Sequence, residues 1–191
     1  MSQETDSVRQ YLSNPPRIVT ERLLLRPLEM TDAEAIYEYS RKPEVSRFLI
    51  FETHRSIEDT YTFLRKALQW REEGTNLVFG ITLRDSGKLI GACGLHHYEQ
   101  DHKSMELGYV LDLPYWNQGF MTEAVTAVIA NTFASTNLHR ICAHHYPGND
   151  ASGRVMEKAG MRYEGMLRQR MFVKGEFRDT KLYAILRTDN A

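Results

Sequence analysis

The stretch Leu107-Gly-Tyr-Val-Leu-Asp-Leu-Pro-Tyr-Trp-Asn-Gln-Gly119-Phe-Met-Thr-Glu-Ala124 decides the interpretation of this chain of 191 residues. It has the pattern of a strand, a short loop that ends in glycine, and a helix. The first amides of a helix lack internal partners and lie at the positive end of its dipole, so a phosphate can bind there. The stretch is neither a Walker loop nor a dinucleotide fingerprint, because no Lys-Ser/Thr follows Gly119 and GxGxxG is absent. It indicates an anion-binding helix start, or a glycine that serves only the turn.

The composition is that of an ordinary globular protein, with 42% apolar and 26% charged residues. The formal charge is −1, from 24 basic and 25 acidic residues, which argues against a nucleic-acid partner or an acidic membrane surface. The two cysteines, Cys93 and Cys142, form no CxxC motif, so we expect neither a disulfide framework nor a cysteine-rich zinc site. An anionic ligand should therefore be held by a few local groups.

The chain is predicted to hold one domain, residues 18–191, after a polar leader, residues 1–17, that is expected to be flexible. The leader contains no apolar core of a signal peptide, and no run of about 18 apolar residues follows it. Since the cysteines also suit a reducing compartment, we expect a cytoplasmic protein without a membrane anchor.

Strands and helices alternate without repeats, which predicts a mixed α/β fold with a largely antiparallel sheet. Capping-box spacings at residues 31–34 and 56–59 predict two helix starts, and Gly74 is predicted to end the second helix. Residues 77–83 and 89–95 read as a hairpin, and residues 105–111 as the next strand. The remaining predictions are a helix over 120–136, a strand over 139–146, a short helix over 149–159, and a second hairpin over 163–173 and 177–186.

The central stretch resembles the diphosphate loop of the GNAT superfamily, the acetyl-CoA-dependent N-acetyltransferases, and especially the branch with the ribosomal-protein N-terminal acetyltransferases RimJ and RimL. The matching residues are Glu106, Gly108, Tyr109, Leu111, Tyr115, Trp116, Gly119, Thr122, Glu123 and Ala124. Residues 149–165 resemble a second pattern of that branch, and residues 20–26 and 175–184 resemble its two ends. The resemblance implies a GNAT fold, with a central sheet of about seven strands that splays at its centre and is flanked by helices.

The chain departs from the family pattern at several positions. In the superfamily pattern Q/R-x-x-G-x-G/A it has Trp116, usual for the branch, and Met121, which is bulkier than the common alanine. Gln118 replaces a frequent lysine. Met171 stands where RimL-like enzymes have a glutamate that is assigned to catalysis, so that acid–base pair does not transfer in full.

The resemblance implies acetyl-CoA as co-substrate and no metal. Amides of residues 118–122 would bind the diphosphate, and Asn149 would bind the pantetheine or cap its helix. The implied cofactor-binding residues are Tyr109, Val110, Leu111, Trp116, Asn117, Gln118, Gly119, Phe120, Met121, Thr122, Asn149 and Ser152.

Acetylation of an amine requires a base, a donor for the tetrahedral oxyanion and a partner for the leaving thiolate. Glu106 is the candidate base, because a carboxylate in so apolar a strand should be either functional or paired with Arg140 or a histidine of a neighbouring strand. The Val110 amide is the candidate oxyanion donor. Ser152 is the candidate partner of the thiolate, unless it only satisfies backbone amides in the first turn of its helix.

The seven histidines do not predict a metal site, because the pairs 96/97 and 144/145 point to opposite faces of their strands and no HExxH accompanies them. One or two histidines are expected to line the acceptor cleft, and Phe48 and Phe51 are weaker candidates for the same cleft.

The sequence predicts transfer of acetyl to a primary amine by direct attack in a ternary complex. The acceptor is either a protein N-terminal α-amine or a small molecule such as a toxin, an antibiotic or a polyamine. A non-catalytic acyl-CoA-binding module on the same fold is the alternative of a different class. The resemblance also implies that two copies could pair as a homodimer.

Overall fold

The computed structural model describes residues 6–189 and has one mixed sheet of eight strands in the order β1-β2-β3-β4-β5-β6-β8-β7. The strands are β1 (Ile18–Val19), β2 (Leu23–Pro27), β3 (Leu77–Leu83), β4 (Leu89–Glu99), β5 (Ser104–Leu111), β6 (Arg140–His145), β7 (Arg162–Val173) and β8 (Glu176–Leu186). The α-helices are α1 (Ser7–Ser13), α2 (Ala33–Ser40), α3 (Pro43–Ser46), α4 (Ile57–Glu72), α5 (Phe120–Ser135) and α6 (Asp150–Lys158). The predicted fold class is confirmed, and the two-residue β1 accounts for the eighth strand.

The sheet opens at its centre, between β5 and β6. These two strands pair in parallel only over residues 104–106 and 140–142, although both continue beyond that point. The other strand pairs are antiparallel. The predicted splay at the central strands is therefore present, and it leaves the second half of β5 without a neighbour on its β6 side.

Side chains alternate between two cores, one on each face of the sheet. On β5, Met105 and Leu107 are buried in the core that α5 covers, whereas Val110 packs into the core of α2 and α4 on the opposite face. Both faces are thus apolar, and the polar Glu106 shares the second face with Val110.

Part of the N-terminal leader, for which no helix was predicted, forms a helix that packs on the domain. Ser7–Ser13 is a helix, and its side chains Val8, Tyr11 and Leu12 are buried in the α5-side core. Asp6 caps the helix, since its carboxylate accepts from the Val8 amide at 3.0 Å. The segment has only three apolar residues among polar ones, so the sequence did not indicate a buried helix here. Residues 1–5 of the predicted leader lie outside the described residues.

The helix ends follow the predicted signals in all but one case. Ser56 and Asp59 form the expected capping box, and Gly74 has the left-handed φ of +64° beyond α4. The capping box at residues 31–34 is wrong, because the Asp32 carboxylate instead accepts from the Glu29 amide and pairs with an arginine of β2. Within residues 6–189, no helix combines the length and the apolar character needed to cross a bilayer.

Candidate active site

The opening between β5 and β6 exposes the backbone of alternate β5 residues. The Asp112 amide donates to the Ile90 carbonyl at 2.8 Å, so Asp112 faces β4. Because the direction of backbone groups alternates along an antiparallel pair without a bulge here, Val110, opposite Ala92, also faces β4. Tyr109 and Leu111 therefore face the opening. The predicted oxyanion donor Val110 is wrong for this reason, and the Tyr109 amide takes its place as candidate.

The start of α5 lies at one end of this opening. Gly119 is its N-cap residue, with φ of +81°, and Asn117 also has a left-handed φ, of +59°. The first bond of the helix runs from the Glu123 amide to the Gly119 carbonyl at 3.0 Å. The amides of residues 120–122 precede that bond and have no acceptor in the described part of the chain. Such uncapped amides, at the positive end of a 16-residue helix, suit a diphosphate.

The side chains of three of the predicted loop residues are engaged within the protein. The Trp116 indole donates to the Leu111 carbonyl at 2.8 Å, and the Gln118 side chain donates to the Pro114 carbonyl at 2.7 Å. Met121 points into the α5-side core and is 6% exposed, so its bulk does not occupy the loop.

Arg22 is a site residue that the sequence analysis missed. It donates to the Gln118 carbonyl at 3.0 Å, and its guanidinium lies 4.2 Å from the centre of the Phe120 ring. Arg22 and Arg84 both line a cleft of about 270 Å³ beside the helix start. Glu21 and Asp85 line the same cleft, so Arg22, which contacts the loop directly, is the candidate for the charge of the frequent lysine that Gln118 replaces. The resemblance of residues 20–26 to the branch pointed to this segment, but it did not indicate that Arg22 contacts the loop before α5.

Glu123 holds the first turn of α5 against the segment before β2. Its carboxylate accepts from the Thr20 hydroxyl at 2.6 Å, from the Arg22 amide at 2.9 Å and from the Arg22 guanidinium at 2.7 Å. Burial raises the pKa of Glu123, but these hydrogen bonds outweigh it and hold the pKa below its usual value. The charged form is therefore the one that stabilises the fold.

Replacing Glu123 should make the stability of the protein less dependent on pH. A carboxyl whose pKa is lowered on folding stabilises above its unfolded pKa of about 4.3, and that contribution is lost as the pH falls through the folded pKa. We expect Glu123→Gln to lower the free energy of unfolding by about 1 kcal/mol at pH 7, and this difference to shrink as the pH falls below about 4.3. Urea unfolding at a series of pH values measures this. Glu38→Gln, which loses only an exposed ion pair with Arg41, is the control; an equal loss in both variants would contradict the expectation.

Glu106 lies on the second face of the sheet, next to the opening. It is half-buried, and among the residues that the structure describes its carboxylate has no hydrogen bond or ion pair. The alternative of an ion pair with Arg140 is wrong, because Arg140 forms a bidentate pair with Glu164 instead. The Glu106 carboxylate is thus left available for a substrate or a water.

The groups around Glu106 are His96, opposite it on β4, Cys142 and His144 of β6, and Tyr146 just beyond β6. Burial and the Glu106 charge together raise the pKa of the Cys142 thiol to about 11. Burial lowers the pKa of His144, and Arg170 and Arg140 add to that effect while Glu106 opposes it. At neutral pH the site therefore has a neutral Cys142 thiol and a neutral His144 imidazole beside Glu106.

Tyr109 and Ser152 meet on the α5 side of the opening. The Tyr109 hydroxyl lies 2.8 Å from the Ser152 Oγ and donates to the Ser152 carbonyl at 3.0 Å. Burial raises the pKa of Tyr109, so the phenol stays protonated. Asn149 makes no side-chain capping bond to α6, so its side-chain amide is not used as a cap. The two predicted α6 residues thus lie beside the opening with polar atoms available.

The β7–β8 hairpin and the connection after α2 enclose the second face. Lys174, at the hairpin turn, donates to the Ser46 carbonyl at 2.7 Å. Met171 lies on this face, and the Tyr146 hydroxyl is 3.9 Å from its sulfur. At the position of the RimL-like glutamate this protein therefore has the Met171 thioether, next to the Tyr146 phenol. Phe51 packs on His54, with ring centres 5.5 Å apart, in the same connection.

Two of the seven histidines, His96 and His144, lie on the Glu106 face, and His144 is the one on the strand across the opening. His145 is buried on the other face, and burial lowers the pKa of His96, beside α4, to about 4. In the described ranges no group of three or more histidine, cysteine or carboxylate side chains could hold a metal ion.

Comparisons with known proteins agree with this geometry. Residues 22–162 match the family model described as an acetyltransferase (GNAT) domain. The uncharacterized N-acetyltransferase YoaA of Bacillus subtilis is 35% identical over 172 residues, which cover 90% of this chain and 97% of YoaA. The [ribosomal protein uS5]-alanine N-acetyltransferase of Escherichia coli is 27% identical over 188 residues, which cover 94% and 96% of the two chains. The crystal structure of a GNAT-family acetyltransferase from Bacillus anthracis is similar to this fold, with a TM-score of 0.81 and 35% sequence identity. The match covers 91% of this chain and 99% of the Bacillus anthracis chain.

The chain belongs to the GNAT family of acetyltransferases. The resemblance inferred from its sequence is confirmed at this level, and the chain is an acetyl-CoA-dependent N-acetyltransferase, hence an acyltransferase.

Proposed function

We propose that the protein transfers acetyl from acetyl-CoA to a primary amine, by direct attack within a ternary complex. The observation that carries this proposal is the opening between β5 and β6. It has the uncapped α5 amides at one end, and it separates the Tyr109–Ser152 pair on one face from the unpaired Glu106 on the other. A thioester in the opening would be reached by the amine from the Glu106 face.

The residues present fit acetyl-CoA. The amides of residues 120–122 would hold the diphosphate, with Arg22 adding charge, and the outward-facing backbone of Tyr109 and Leu111 would pair with the pantetheine. Asn149 would bind the same arm. When bound, acetyl-CoA supplies the activated acyl group.

Glu106 would accept the proton of the incoming ammonium, directly or through water. This matters because neutralising a lysine-like amine at pH 7 costs about 4–5 kcal/mol, and an α-amine about 1 kcal/mol. The Tyr109 amide would donate to the developing oxyanion, and the Ser152 hydroxyl to the thiolate. For this, Tyr109 would donate its single proton to the Ser152 Oγ, 2.8 Å away, instead of to the Ser152 carbonyl, which leaves the Ser152 proton free for the thiolate.

Release of free CoA thiol, measured with a panel of amines, tests the proposal. The panel combines peptides with free N-termini, amino acids, polyamines and aminoglycosides. Thiol release that requires one of these amines, with a mass increase of one acetyl on it, is the expected result. Binding of CoA by calorimetry without thiol release on any amine would support the non-catalytic module instead.

A further inference from the structure

A cleft of about 420 Å³ lies between the end of β6 and the β7–β8 hairpin. Its lining residues are Tyr146, Pro147, Gln169, Glu176, Phe177, Arg178 and Asp179. The cleft lies on the Glu106 face of the sheet. Glu106 pairs with Cys142, and His144, two residues further along β6, lies 3.4 Å from the Thr180 hydroxyl of β8. Arg178 is two residues from Thr180 on β8, so its side chain is on the same face. The cleft is therefore on the side from which an amine would approach.

Arg178 is the cation in the wall of this cleft. Its guanidinium lies 5.5 Å from the centre of the Tyr146 ring and pairs with Glu176 at the exposed end of the hairpin. Its Nε is buried and has no acceptor among the residues that the structure describes. A buried guanidinium N–H without a partner is unfavourable, so an acceptor oxygen brought by a ligand would be stabilising.

A bulge in β7 adds a second arginine. Leu167 pairs with Thr180 and Met171 with Arg178, so β7 advances four residues while β8 advances two. Inside the bulge, Gln169 has φ of +50°, and its amide donates to the Asp179 carboxylate at 2.8 Å. Asp179 is thereby engaged in holding the bulge rather than facing a ligand.

Arg170 belongs to the same bulge and has no ion-pair partner in the described part of the chain. It lies close enough to His144 to lower the pKa of that imidazole. The acceptor side thus carries one unpaired carboxylate, Glu106, and two arginines with unused hydrogen-bonding capacity.

We propose that the amine acceptor also carries an anionic group, a carboxylate or a phosphate, which Arg178 and Arg170 bind while the amine meets Glu106. Arginine suits such a ligand because its planar fork binds two oxygens at once. The anion could belong to a free amino acid or to an acidic residue near a peptide N-terminus. This inference rests on the proposed function, since it needs the acceptor to lie on the Glu106 face.

Matched acceptors test the inference through kcat/KM for thiol release. The first set is phenylalanine, phenylalaninamide and phenethylamine, and the second set is the peptides Ala-Glu-Ala, Ala-Gln-Ala and Ala-Lys-Ala with amidated C-termini. We expect the anionic member of at least one set to exceed its neutral and cationic partners at least 10-fold, mostly through KM. The set in which this occurs distinguishes a small molecule from a peptide.

Variants then assign the preference to the two arginines. Arg178→Gln and Arg170→Gln should each reduce the preference about 10-fold, Arg178→Lys should retain part of it, and the exposed Arg168→Gln should leave it unchanged. Melting temperatures show that each variant is folded, and Arg170 is exposed enough to be replaced without loss of packing. The inference would be overturned if neutral and cationic amines were turned over as well as the anionic ones, or if the preference for the anionic acceptor survived in both variants. The proposed function would stand in either case. No thiol release with any amine would overturn the proposed function and this inference with it.

Discussion

Gly119→Glu is expected to weaken CoA binding at least about 100-fold. The glycine is the N-cap of α5, and an added Cβ there would lie 3.4 Å from the Arg22 guanidinium, beside the start of the helix. A glutamate would also place a negative charge next to the diphosphate. Two like charges about 4 Å apart at an effective dielectric constant of about 20 repel by about 4 kcal/mol, more than the roughly 2.7 kcal/mol that a 100-fold change requires.

Thermal melting with and without CoA measures this effect. A ligand at 100 times its Kd adds about 2.7 kcal/mol, which for a chain of this size raises the melting temperature by roughly 5–10 °C. The variant should lose nearly all of that rise.

Gly160→Glu is the matched control. Gly160 has φ of +87° against +81° for Gly119, and an added Cβ would lie 3.4 Å from its nearest neighbour in both places. Both variants therefore carry the same backbone strain, of about 1–2 kcal/mol, and the same charge. Gly160 follows α6, at the end away from Asn149 and Ser152. Protection of the Gly119 variant by CoA equal to that of the Gly160 variant would show that the diphosphate does not bind at α5.

Much of this fold follows from local patterns in the sequence. The loop that ends at Gly119, the 56–59 capping box and the two hairpins each depend on nearby residues, and they lie where they were predicted. The helix at residues 7–13 was missed because its three buried side chains are few and the contacts that bury them come from α5 and the sheet, distant in sequence. Such tertiary burial leaves no periodic signal in so short a segment.

The site was predicted less completely, for a geometric reason. Sequence spacing places Tyr109, Val110 and Leu111 on one strand, but which amides face the opening depends on the register with β4. That register is set by the pairing of Asp112 with Ile90, a contact between strands. Arg22 was missed likewise, since its contacts with Gln118 and Glu123 join segments about a hundred residues apart.

Glu106→Gln is expected to lower kcat about 100- to 1000-fold at pH 7, with little change in CoA affinity. The amide cannot accept the proton of the incoming ammonium, and general base catalysis contributes about 10²- to 10⁴-fold. The side chain is on the face opposite to the Tyr109–Ser152 pair, so the coenzyme side of the opening should be unaffected. The defect should shrink as the pH rises, because more of the amine then arrives neutral, and it should be larger for lysine-like amines than for α-amines.

Two further variants separate a proton acceptor from a general electrostatic effect. Glu99→Gln removes another carboxylate that acts on Cys142 but is exposed on β4, and it should retain nearly full activity at every pH. His144→Gln tests the neighbouring imidazole, whose lowered pKa leaves it neutral and able to take a proton. A large loss of kcat in the His144 variant, together with a pH–rate profile of Glu106→Gln that matches the parent, would transfer the role of base from Glu106 to His144. A kcat loss in Glu106→Gln that narrows with rising pH, with the other two variants active, identifies the carboxylate as the group that receives the proton.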